Sequence, residues 1–184
     1  SDDFVNPYNR SAFSGETIDD IIFLKNMYKI YTNICEVDGE IQPILSRKQK
    51  CVLKLTDQFH MIDMLGNYSD INWFLSLNKI QLSVFLREFY DIWNYRAQLS
   101  EEAKQEICPL NGTPFNGINM SMVNRYQEHN RLTEMCMQVF DNILLADSTD
   151  ANKSLGALYI LSALTLVSEG AADAMPWLYQ SVAI

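Results

Sequence analysis

The sequence predicts an all-α fold, a compact bundle of about five to seven helices with Pro/Gly/Asn-rich turns and at most one tiny β-hairpin. Three observations predict it. Apolar residues recur at three- and four-residue spacing through most of the chain. Helix-start signals stand directly ahead of those runs, and most Pro and Gly residues fall between them. At 184 residues the chain can bury roughly 70% of its unfolded surface, so it reads as a single helical domain over 1–184. Within it, 1–17 is an N-terminal turn segment and 107–120 a Pro/Gly-rich connection between two helical halves.

The first helix is predicted from Ile18 to Cys35, where Ile18, Ile21, Ile22, Met27, Tyr31 and Ile34 form one apolar face. It runs into "CEVDGEIQP", whose Asp38-Gly39 is a two-residue turn signal for a very short hairpin stopped by Pro43. Ser46 is placed to cap a second helix, with Cys51, Val52, Leu55, Phe59, Ile62 and Leu65 inward and Lys50, Lys54, Asp57 and His60 outward. Gly66 suits the left-handed position that ends it. Asp70 caps a short helical turn over Ile71–Leu77.

Asn78 with Gln81 three residues on is a capping box for a helix from Lys79 to Gln98. Its stripe of Leu82, Phe85, Leu86, Phe89, Ile92 and Trp93 carries enough aromatic area to place it centrally. Ser100 caps a short helix with Glu101 and Glu102 in its first turn, where acids complement the helix dipole, and Pro109 stops it. Helical spacing from Met122 to Ile143, through Tyr126, His129, Leu132, Cys136, Val139 and Phe140, predicts the longest helix. Asp150 is placed to cap the apolar helix "LGALYILSALTLV", where Gly156, Ile160 and Ala163 offer a narrow ridge for a neighbouring helix. A final helix over about 170–182 contains Pro176, which marks either a kink or a helical start.

One turn design occurs twice. "VNPYNRSAFSG" (5–15) and "ICPLNGTPFNG" (107–117) align Pro7 with Pro109, Asn9 with Asn111, Phe13 with Phe115 and Gly15 with Gly117. Pro fixes φ, Asn and Gly turn the chain, and Phe is positioned to drop into the core as a clasp. Shared turn chemistry explains the match more simply than duplication of helical halves.

A net charge of −9 opposes phosphate backbones and anionic lipid, which argues against a nucleic-acid partner and for a protein one. Arg47, Lys48 and Lys50 form a short basic run at a helix start and read as a solvated face. Cys35, Cys51, Cys108 and Cys136 lack metal-ligand spacing, so they indicate free thiols, a reducing cytoplasmic setting and no metal. The 13-residue run Leu155–Val167 is too short for a membrane span, and the acidic start "SDDFVNPYNR" does not read as a secretory signal. The five N-x-S/T sequons therefore read as compositional accident.

No phosphate loop, dinucleotide fingerprint, nucleophile elbow or zinc-protease motif occurs, and no cofactor is implied. "EVDGEI" imitates the middle of a calcium loop, but Ile34 and Leu45 occupy positions that must ligate. His60, three residues from both Asp57 and Asp63, reads as surface decoration, and His129 as a core histidine. His129 and Cys136 lie about 10 Å apart along one helix, too far for a direct nucleophile–base pair. No catalytic residue is assigned. The candidates for partner contact are Trp177, Tyr179 and Met175 in "MPWLYQ", with Trp93 and Arg96 in "WNYRAQ", although Arg96 also suits a structural role binding an acid or loop carbonyls.

"REFYDIWNYRAQLSEEAKQEICPLNGTPF" and "LGALYILSALTLVSEGAADAMPWLYQSV" together resemble uncharacterised helical proteins of nucleocytoplasmic large DNA viruses, over about a third of the chain. The likeness involves Trp93, Tyr95, Arg96, the Pro109/Gly112/Phe115 loop, Ala171, Ala172, Pro176 and Trp177. It implies a host cytoplasm, virus factory or virion setting and transfers no activity. The leading expectation is a non-enzymatic protein-interaction module, binding through an apolar groove or aromatic patch. A virion structural or assembly component, able to form a homo-oligomer, and an enzyme using His129, Cys136 or the Arg96 region are the alternatives.

Overall fold

The computed structural model describes residues 46–125 and 128–183. The chain divides into two units, 1–46 and 47–184, and the elements below belong to the second. The helix expected over Ile18–Cys35, the Asp38-Gly39 hairpin, the calcium-like segment and the first copy of the repeated turn lie outside the described residues.

Among the described residues there are eight α-helices and no strand. They are α1 (Arg47–Met64), α2 (Ile71–Leu75), α3 (Lys79–Asp91), α4 (Glu101–Ile107), α5 (His129–Leu144), α6 (Asp150–Thr165), α7 (Glu169–Ala174) and α8 (Pro176–Val182). The fold is all-α. The count exceeds the expected range because Pro176 begins α8 at its first position, where its missing N–H costs nothing, so the last helix divides into two.

The start signals act as their chemistry requires. Asp70 Oδ1 accepts from the Asn72 N–H at 2.8 Å, and Ser100 Oγ accepts from the Ala103 N–H at 3.2 Å. The Asn78 side chain accepts from Ile80 and Gln81 N–H groups while the Gln81 side chain accepts from the Asn78 N–H, which completes the capping box. Gly66 ends the α1 region with φ of +86°. At α6 the cap is Thr149, whose hydroxyl accepts from the Asn152 N–H; Asp150 instead sits in the first turn.

α3 and α6 lie at the centre, each packed against α5 and against one another. A chain of rings runs through this core: Phe74 to Phe140 at 5.4 Å between centroids, Phe140 to Phe85 at 5.8 Å, Phe85 to Phe89 at 6.1 Å and Phe89 to Trp93 at 6.2 Å. α1 lies along α5, and their ion pairs Arg47–Glu134 and Lys54–Asp141 repeat at the same seven-residue interval on both helices. Buried Gln58 donates to the Met137 carbonyl at 2.8 Å and to Asp141 Oδ1 at 2.7 Å. Val52, expected inward, is at the surface. The ridge of α6 works as its small residue suggests: a Cβ on Gly156 would overlap the Ile143 side chain and stand 2.9 Å from Ile107 Cγ2.

Two predicted helices change form. The Met122–Ile143 pattern is divided into a 3-10 turn (Met120–Arg125) and α5, so α1 rather than α5 is the longest helix among the described residues. The Lys79–Gln98 pattern is α-helical only to Asp91 and continues as one π turn over Ile92–Arg96. In an uninterrupted α-helix Arg96 would stand about 80° round from Glu88; the wider i→i+5 turn closes that offset, and the two side chains pair. The elements on either side of the 107–120 connection share one core, since α5 packs against both α1 and α3.

Candidate functional site

The second copy of the repeated turn builds a mainly apolar concave surface. α4 stops before Pro109, and the Gly112 N–H then closes the chain back onto the Cys108 carbonyl at 2.8 Å, with Gly112 at φ of +65°. Beneath this turn the Trp93 indole N–H donates to the Gly112 carbonyl at 3.1 Å. On the α5 side, Asn142 Nδ2 donates to the Pro114 carbonyl at 2.7 Å and Gln138 Nε2 to the Asn116 carbonyl at 3.1 Å. Phe115 enters the core against Phe89 and Tyr90, at 5.3 and 5.1 Å between centroids. That is the clasp expected of this phenylalanine. Phe13, its counterpart, lies outside the described residues.

These anchors hold the loop from below and leave its apex bare. Leu110 is 89% exposed. Across a cleft of about 540 Å³ stands Leu145, 64% exposed, on the residue that terminates α5. Asp141 and Asp147 line the same cleft, and among the described residues no lysine or arginine does. Asp141 is engaged by Lys54 and Gln58 from behind, while Asp147 faces solvent. The arrangement offers two apolar lips, an anchored backbone and a carboxylate; the Cys108 thiol also lines it but is buried, and burial pushes it up to about 12.

The residues expected to contact a partner are scattered. Trp93 has no exposed surface: its ring packs edge-on to Tyr159 at 6.0 Å and its N–H is spent on Gly112. Met175, the residue that precedes α8, is buried. Arg96 is mostly buried and pairs with Glu88; its Nε lies 2.7 Å from Asp91 Oδ2, off the line of a hydrogen bond, so that contact is ionic. The third nitrogen, Nη1, donates to the Val182 carbonyl at 2.6 Å, latching the end of α8. Burial and pairing leave little of these three side chains at the surface. Trp177 is 60% and Tyr179 41% exposed. Two residues apart on a helix, they point about 200° away from one another and make no single patch.

The candidates for chemistry do not converge. Cys136 is fully buried, and burial pushes its thiol well above the ordinary range, which makes it inert as a nucleophile. His129 begins α5 at the surface instead of lying in the core, with Nε2 3.0 Å from the Leu77 carbonyl. His60 is exposed, and the neighbouring Asp63 accepts from Ser69 Oγ at 2.6 Å. That hydroxyl is bound to a carboxylate with no imidazole between them. Among the described residues no three His, Cys, Asp or Glu side chains gather as metal ligands, and no helix is long and apolar enough to cross a membrane. A second groove, between Leu77, Gln81, Val167 and Tyr179, is mainly polar, and Gln81 spans it to the Val167 carbonyl at 3.0 Å.

The chain matches no protein-family model, no curated protein and no solved structure.

Sequence reasoning missed Leu110 and Leu145. Leu110 stands alone between Pro109 and Asn111, and Leu145 follows the buried Ile143 and Leu144 as the residue that ends α5. The visible signal at Leu110 is an apolar residue inside a Pro/Gly/Asn turn, where a polar one would serve the turn equally well.

Proposed function

We propose that this chain is a non-enzymatic protein-interaction module whose partner docks in the cleft between Leu110 and Leu145. One observation carries the reading: a leucine 89% exposed at the apex of a loop whose flanking backbone is pinned to the core. Scattered exposed leucines are ordinary. A leucine held out by a pre-ordered loop is different, because little conformational entropy is left to lose when it is covered. The likeness to helical proteins of large DNA viruses would set this contact in the cytoplasm, virus factory or virion of an infected cell. The unpaired Cys51, Cys108 and Cys136 support a reducing setting.

The test compares tagged wild-type chain with the Leu110→Ser/Leu145→Ser double variant and with Trp177→Ala, each used to purify partners from cells that produce the protein. A stoichiometric partner held by wild type and Trp177→Ala but lost from the leucine variant is the expected result. A partner lost with Trp177→Ala and retained by the leucine variant would move the surface to α8 and overturn the cleft as the docking site.

A further inference from the structure

The lining of the cleft also specifies the chemistry of what fills it. Among the described residues its charged side chains are Asp141 and Asp147. Lys54 neutralises Asp141 from the α1 side. Asp147 lies just beyond Leu145, exposed and without an ion pair among the described residues. Leu110 and Leu145 form apolar lips around Pro109 and Ala146. An occupant therefore needs an apolar side chain to cover the leucines and a cation beside it to meet Asp147.

We infer that the cleft takes a cationic amphipathic segment of another protein, with an aliphatic or aromatic side chain between Leu110 and Leu145 and a lysine or arginine against Asp147. This rests on the interaction reading above and narrows it. An acidic segment would meet both Asp147 and the field of a chain carrying −9. A second copy of this chain brings the same −9 and is repelled for the same reason. Charge of this kind raises the association rate and rejects wrong partners, while the apolar contact sets residence.

The experiment titrates the isotope-labelled full chain with two synthetic amphipathic peptides of about four helical turns. They share one leucine face, and the polar face is lysine in one and glutamate in the other. The lysine peptide is expected to shift the amides of 108–116 and 145–147 saturably, and to weaken as salt is raised. Asp147→Lys should lower its affinity about tenfold or more, as should Leu110→Ser/Leu145→Ser, while the glutamate peptide binds at least tenfold more weakly to wild type. All of these substitutions fall on exposed side chains, so folding is preserved.

Equal affinity of the two peptides for the cleft, or indifference to Asp147→Lys, would overturn the cationic assignment and leave the interaction reading standing. Shifts spread over the acidic surface, or binding indifferent to the leucine substitutions, would overturn both. Concentration-dependent shifts confined to the cleft without any peptide would identify a second copy as the occupant and overturn the inference.

Discussion

Gly156→Ala should destabilise the protein, against the usual sign of that exchange in a helix. In an exposed helix interior, alanine gains about 0.5–1 kcal/mol over glycine by restricting the unfolded chain. Here the new Cβ would overlap the Ile143 side chain and stand 2.9 Å from Ile107 Cγ2. Both isoleucines are essentially fully buried, so neither can swing into solvent. Overpacking of this kind costs about 1–3 kcal/mol, which leaves a net loss of about 1 kcal/mol and lowers Tm by about 2–4 °C for a chain of this size. Urea unfolding followed by circular dichroism measures it. Ile143→Leu, which removes the offending Cγ2 methyl, should recover at least about 0.5 kcal/mol in a double-mutant cycle. A Gly156→Ala protein more stable than wild type by about 1 kcal/mol would show that α4, α5 and α6 do not converge there, and would refute the close-packing argument.

Further outcomes follow from the anchors of the cleft and the core. Trp93→Phe keeps the buried ring but leaves the Gly112 carbonyl without its donor; it should cost about 1–2 kcal/mol and speed amide exchange over 108–116 more than over α1. Arg96→Met releases the Val182 carbonyl and unpairs Glu88, for a loss of about 2 kcal/mol and faster exchange in α8, which mass spectrometry of exchanged peptides would locate. Burial pushes the Cys108 thiol up to about 12 from an ordinary 9.0, so the folded state keeps a proton that the unfolded state gives up. Its contribution is full below pH 9.0 and is lost as pH rises from there towards 12; Cys108→Ala should flatten the decline in urea midpoint over that window.

The leucines of the cleft and the π turn show where sequence reasoning stops. Helix existence follows from local chemistry: Asn78 and Gln81 are three residues apart, and a capping box needs no more than that. Burial of Phe85, Phe89 and Cys136 follows from spacing along one helix face. The π turn at Ile92–Arg96 has no such local cause. It aligns Arg96 with Glu88 and with the carbonyl of Val182, which is distant in sequence, so only the folded chain can favour it. The 3-10 turn at Met120–Arg125 likewise lies within a pattern whose helical periodicity continues through it. His129 illustrates the cost: spacing alone put it in the core, and the start of α5 at that residue leaves it at the surface.

By itself, then, the sequence determined the helical class, most helix starts and the aromatic stripe of α3, all of which depend on residues within a few positions of one another. Only the tertiary structure decided that Trp93, Met175 and Arg96 are spent inside the molecule, and that Leu110 and Leu145, 35 residues apart, share one cleft with Asp147. Exposure is a property of what the rest of the chain covers. No local pattern records which side chains long-range packing leaves bare.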